Sequence, residues 1–209
     1  MNLISTLAEQ GHIWTARHWQ ETQVAGLNTG YAALDAELPG SGWPVAAVSE
    51  ILYPQHGTGE LRLILPALAQ LSRQDTGWQL WLNPPYLPCA PALQQWQLNT
   101  QRLLLARATK PADLCHSLEK SLQSGGCQAA VVWLEKLDKA LMRRIQLAAE
   151  QSSTPVFILR PVRFLNQPSV AALRIKINSP NSLDIVKRRA GWPLNNVSLE
   201  LPLHFTKSP

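Results

Sequence analysis

A strand, a tight glycine loop and a helix follow one another over residues 50–71, which is the physical context of a phosphate-binding loop. In such a loop, backbone amides and a helix N-terminus face an anion. The working pattern is G-x-x-x-x-G-K-[ST]: the lysine reaches the terminal phosphates and the hydroxyl ligates magnesium. With Gly59 taken as the last glycine, Pro54 stands at the first glycine position, Glu60 at the lysine and Leu61 at the hydroxyl; Gly57 lies between. Pro54 removes an amide donor. Glu60 replaces an attractive charge with a repulsive one, and at ~4 Å near a surface a single charge pair is worth ~4 kcal/mol. Leu61 offers no oxygen to magnesium. Together these changes predict a degenerate loop with no catalytic residue, no bound cofactor and no metal, in a chain that is not an enzyme.

Other chemistry-bearing residues point the same way. The strand over 129–134 ends on Trp133 and Leu134, where a magnesium-holding aspartate would stand in a working site. Glu135 follows, read either as a metal ligand or as a carboxylate favoured by a helix dipole. His56 in the loop stands in for the missing cation when protonated, or is a solvent-exposed histidine. Cys115 and His116 are neighbours on a helix and do not share a face. Cys89, Cys115 and Cys127 include no C-x-x-C pair, so neither zinc nor a disulfide framework follows.

Contact residues are more promising. Lys187, Arg188 and Arg189 follow an apolar strand and either meet DNA phosphates or an acidic partner, or guard a sheet edge against aggregation. Trp43 and Trp192 sit beside prolines, as interface anchors would. Arg143 and Arg144 either dock a partner or form the wet side of an amphipathic helix. Trp78, Trp81, Trp96 and Trp133 read as core rather than as base-stacking platforms.

The elements that position these residues alternate. Strands are expected over 46–53, 78–82, 102–107, 129–134 and 155–159. Helices are expected over 60–73, from Pro111 to the Gly125-Gly126 stop, and over 137–150, with a short one over 92–97. Apolar strands alternating with helices of about three turns imply a mostly parallel sheet covered on both faces. Residues 172–177 and 183–187 then form a β-hairpin joined at Pro180-Asn181. Leu3, Ile4, Leu7, Ile13 and Trp14 suggest a short N-terminal helix. The expected division is residues 1–25 as N-terminal helix and linker, 26–193 as the α/β domain, and 194–209 as a C-terminal tail.

The 209 residues include 45% hydrophobic and only 16% charged, with a formal net charge of +5. Low charge reads either as surface covered by a partner or as a polar surface rich in Gln, Asn and Ser. Beyond residue 155 the bases outnumber the acids. The cysteine pattern suits the cytoplasm. The first ten residues lack the basic start of a signal peptide, and no apolar run is long enough to span a bilayer.

Several motifs carry a family resemblance. Thr29-Gly30 through Leu34-Asp35, Gly40-Ser41-Gly42-Trp43-Pro44 and Ser49-Glu50-Ile51-Leu52-Tyr53 resemble the lead-in to the RecA ATPase core. Gly57-Thr58-Gly59-Glu60-Leu61-Arg62-Leu63, Leu65-Pro66-Ala67-Leu68, Trp81-Leu82-Asn83-Pro84-Pro85-Tyr86 and the stretch from Ile185 through Lys187-Arg188-Arg189 to Trp192-Pro193 resemble the ImuA family. Ile51-Leu52-Tyr53, Trp78-Gln79-Leu80-Trp81-Leu82 and Phe157-Ile158-Leu159-Arg160-Pro161-Val162 resemble SulA, the SOS inhibitor that binds FtsZ. The Thr29-Gly30 lead-in and the basic tail favour ImuA. That resemblance implies a RecA-like (P-loop NTPase-type) fold and a non-catalytic accessory role in SOS translesion DNA synthesis. Its implied partners are an ImuB-like inactive Y-family polymerase, an error-prone DnaE-type polymerase and RecA, with a possible weak DNA contact and no membrane. The alternative is a SulA-like cell-division inhibitor binding FtsZ.

Overall fold

The computed structural model describes residues 26–74, 76–135 and 137–199. The expected N-terminal helix and linker lie outside the described residues. Eight strands form one mixed sheet in the order β3-β2-β4-β5-β1-β6-β7-β8. They are β1 (Val48–Tyr53), β2 (Trp78–Leu82), β3 (Leu103–Ala106), β4 (Cys127–Trp133), β5 (Val156–Pro161), β6 (Leu173–Ser179), β7 (Ser182–Lys187) and β8 (Leu194–Ser198). The helices are α1 (Ala32–Asp35), α2 (Glu60–Gln74), α3 (Ala90–Gln95), α4 (Pro111–Gln123) and α5 (Lys139–Ser152).

β1 and β5 are buried at every position, which is why their sequences run apolar instead of alternating. Two apolar layers cover the sheet. α2 buries Leu63, Ile64, Ala67 and Leu68 in the layer that holds Trp43, Trp81 and Phe157. α4 and α5 bury Leu114, Leu118, Met142 and Ile145 in the layer that holds Val132 and Ile158. Pro66 lies inside α2 without ending it. Pro111 opens α4, where its missing N–H has no helical partner to lose. α5 is capped by Asp138, whose carboxylate accepts from the Leu141 amide at 2.7 Å.

The RecA-like, P-loop NTPase-type class expected from the sequence is corrected by the family match given below. The sheet is mixed: β6 pairs parallel with β1, then β7 and β8 add antiparallel strands. The hairpin expected over 172–187 is therefore part of a three-stranded extension that also takes in residues 194–198. The loop after β1 carries its own carboxylate, bonded to a glycine amide as described below.

Charge sits at the middle of this apolar sheet. Glu50 on β1 is fully buried and bonds Arg160 on β5 at 2.7 Å and Arg174 on β6 at 2.5 Å. Arg160 also donates to the Glu135 carbonyl at 2.9 Å and to Gln167 Oε1 at 2.8 Å, and lies over the Phe164 ring. One carboxylate thus joins the three central strands through residues 110 and 124 positions away. Removing one partner from a buried ion pair costs ~3–5 kcal/mol, because the other charge is left uncompensated. Glu50→Leu is expected to lower unfolding free energy by about that amount, read from the urea midpoint of the purified chain. An unchanged midpoint would show that the arginines find solvent without Glu50.

Candidate functional site

The loop between β1 and α2 retains the backbone of an anion cradle. Gly57 and Gly59 take positive φ values of 84° and 115°, open to glycine at little cost. The cradle is filled from within. Glu60 is 4% exposed, and its Oε1 accepts the Gly57 amide at 2.8 Å. A carboxylate of the chain thus takes the place that a phosphate oxygen takes in a working loop, at the helix N-terminus where negative charge is favoured. Thr58 turns its hydroxyl to the Gln55 carbonyl at 2.7 Å. Leu61 packs partly against the core, and Pro54 is exposed. His56 lies 4.9 Å from the Tyr53 ring and 6.1 Å from that of Tyr86. Burial, then the Glu60 and Glu135 carboxylates, holds the Tyr53 phenol above its ordinary range. Glu135 pairs with Arg163 at 2.7 Å. Among the described residues no group of three or more His, Cys, Asp or Glu is placed to hold a metal ion.

A second feature lies at the sheet edge. β3 is an outer strand, and Leu104 and Leu105 are 45% and 42% exposed. Asn83 binds the Pro-rich loop to this edge: its amide bonds the Ala106 carbonyl at 2.9 Å, and its side chain exchanges two bonds with Ala108 at 2.9 and 2.7 Å. Arg107 adds a bond to the Pro84 carbonyl at 3.1 Å. The loop so held carries Tyr86 and Leu87, exposed at 71% and 81%. Trp78 on β2 is also surface-accessible, with the Arg102 guanidinium 5.4 Å from its ring. Among the described residues, five of the seven large exposed hydrophobic side chains therefore belong to β2, β3 and this loop. An apolar edge strand that no described residue covers is a template for another chain, and exposed apolar residues gathered at such an edge fit an interaction site. Arg107 and Lys110 give its border positive charge.

The structure sorts the remaining expected contacts. Trp43 is corrected from surface anchor to core residue: it is fully buried, edge-on to Phe157 at 5.2 Å. Arg144 is held by Glu119 through two bonds of 2.8 and 2.6 Å. Arg188 binds the Glu37 carbonyl and carboxylate. Arg143 and Lys187 are exposed, Arg189 meets Glu150 at 3.0 Å, and Trp192 is exposed. The loop and the basic turn lie at separate places, on either side of β1. Periodicity predicts a strand over 102–107 but not its place in the sheet; the position of β3 at the end of the order is what exposes Leu104 and Leu105. No described helix is long and apolar enough to cross a membrane.

Comparison with known proteins gives a consistent family. The family model for cell division inhibitor SulA matches residues 46–155. The chain is 30% identical over 132 residues to the cell division inhibitor SulA of Serratia marcescens, covering 63% of this chain and 78% of the relative. It is 29% identical over 162 residues to that of Serratia proteamaculans, covering 78% of this chain and 92% of the relative. It is also similar to the crystal structure of SulA from Pseudomonas aeruginosa, with 30% identity, a TM-score of 0.46, and coverage of 56% of this chain and 99% of that one. The family match overturns the RecA-like NTPase class and puts a SulA-like fold in its place. Of the resemblances noted in the sequence, these matches carry the SulA one.

The closed cradle has a local signature. Glu60→Ala removes the acceptor of the Gly57 amide, a charge-assisted bond, so exchange of that amide is expected to accelerate by about tenfold or more. Site-resolved hydrogen exchange measures this, and equal rates in both proteins would mean that the carboxylate does not hold the loop.

Proposed function

The chain belongs to the SulA family, and we propose that it is a non-catalytic SOS-response protein that inhibits cell division by binding FtsZ. The single observation that carries this reading is the apolar edge with Leu104, Leu105, Tyr86 and Leu87, exposed among the described residues. Binding through such an edge uses backbone groups for strength and side chains for choice of partner. Aromatic and aliphatic anchors such as Tyr86 and Leu87 fit the centre of an interface, with Arg107 and Lys110 at its rim. The partner surface this calls for is apolar with acidic flanks. The closed loop supports the non-catalytic part: with Glu60 in the cradle there is neither an open anion site nor a lysine to meet a γ-phosphate.

A second reading rests on the residues beyond the family match. β6, β7, β8 and the basic turn after β7 follow residue 155. They leave room for an ImuA-type accessory role with an ImuB-like protein, a DnaE-type polymerase or RecA. Pull-down of those purified proteins by the full chain, compared with FtsZ, separates the two readings.

Expression of the full chain in cells lacking DNA damage is expected to give filaments, and the purified chain to lower the fraction of FtsZ that sediments with GTP. Leu105→Glu places a charge at the centre of the apolar edge. It is expected to reduce both effects about tenfold or more while leaving the thermal midpoint close to wild type, because Leu105 is on the surface. Normal division at high expression, with no effect on FtsZ sedimentation, would sink the proposal. Equal potency of the variant would move the interface elsewhere.

A further inference from the structure

The turn after β7 is built to hold one aromatic ring in water. Arg188 reaches back to Glu37 and also donates to the Trp192 carbonyl at 3.0 Å. Residues 188 and 191 form an antiparallel bridge, Ala190 takes φ 51°, and a β-carbon at Gly191 would collide with the Arg188 side chain. Arg188 is thus a positioning residue that closes the turn. Trp192, at its end, is 85% exposed. A large apolar ring so held costs free energy in water unless something covers it.

The cations beside it are incompletely compensated. The Lys187 amine donates to the Ser169 carbonyl at 3.0 Å, a neutral acceptor. Arg189 meets Glu150 at 3.0 Å, but the two side chains are 54% and 39% exposed, and an exposed pair of this kind contributes little in water. Behind Lys187 stand Arg174 and Glu50, and the carboxylate is already shared with Arg160. Burial, then the Arg174 charge and, more weakly, Arg189, lowers the Lys187 pKa despite Glu50. Glu150 lies in the last turn of α5, so Arg189 connects the turn to that helix. Along α5, Lys139 and Arg143 stand one turn apart, both exposed, with no carboxylate partner among the described residues. Arg144, next to them, is occupied by Glu119.

We infer that Lys187, Arg189 and Trp192, extended by Arg143 and Lys139 along α5, form a binding track for single-stranded nucleic acid. The cations take backbone phosphates and Trp192 stacks a base. An acidic protein segment would satisfy the cations, but it covers an indole presented almost whole to solvent only where an aromatic or apolar residue falls at that one position. Unpaired bases supply one at every nucleotide, and base–aromatic stacking tolerates any sequence. Each phosphate held also releases counterions, so binding weakens steeply with salt.

The test uses the full chain and fluorescein-labelled oligo(dT), read by anisotropy at low and moderate salt. Binding is expected at low salt, falling as salt rises. Trp192→Ala is expected to weaken it about tenfold or more, with Trp192→Phe restoring most of the loss. Lys187→Gln with Arg189→Gln is expected to weaken it and to flatten the salt slope by about 0.7 for each contact removed. All of these side chains are exposed, and an unchanged thermal midpoint verifies the fold of each variant. No anisotropy change at low salt, or equal binding by wild type and variants, overturns the inference. So does poly-glutamate that competes as well as unlabelled oligo(dT) and binds the Trp192→Ala variant equally, which would assign the track to an acidic protein.

Discussion

The fold depends on one carboxylate at its centre. Glu50 lies in a strand whose other residues are all buried, and an isolated buried charge there costs far more than any local packing returns. It is tolerated because Arg160 and Arg174 come from the two strands flanking β1 and meet it within hydrogen-bond distance. The arrangement is directional. A parallel sheet held by apolar side chains alone can slip in register, whereas a guanidinium–carboxylate bond is satisfied at one register only. The triad therefore specifies how β6 docks on β1, and through β6 it places the antiparallel strands and the basic turn that follow them. Its charges do not cancel: two guanidinium groups share one carboxylate, and the excess extends outward to Lys187.

The closed loop is a second case of an internal charge taking an external one's place. A strand, a glycine loop and a helix make amides converge whatever the next residue is. With lysine there, the convergence awaits an anion. With Glu60 a carboxylate is supplied by the chain, and it takes up the Gly57 amide. The bond ties the loop to the first residue of α2 from within the chain.

Much of the secondary structure was legible because apolar periodicity and glycine or proline breaks are local signals. Pro111 marked the start of α4, and Leu114, Leu118 and Leu122 marked its inner face. The loop substitutions were also legible, since they are read against a fixed spacing. The class was not, because strand–loop–helix order is shared by folds that bind nucleotide and folds that do not. Trp43 read as an anchor beside a proline, yet its neighbour in space is Phe157, 114 positions away in the chain. The strand expected over 102–107 carried no sign of its place, and strand order puts Leu104 and Leu105 at the rim. Glu50, Arg160 and Arg174 each stood as a lone charge in an apolar strand; their pairing is invisible until β5, β1 and β6 are adjacent. In each case the missing information was non-local contact.

The same strand order sets the two surfaces apart. β3 ends the sheet on one side, and the basic turn follows β7 near the other. Six strand spacings of ~4.8 Å separate them, roughly 30 Å, about the width of a small domain. A partner seated on the apolar edge at β3 therefore leaves Lys187, Arg189 and Trp192 open. The strands between are hydrogen-bonded into one sheet, and the Glu50 triad cross-links three of them, β5, β1 and β6. Two such sites on one rigid sheet act by holding two bodies at a fixed separation, so any dependence of one binding event on the other must come from the geometry and charge of the partners themselves.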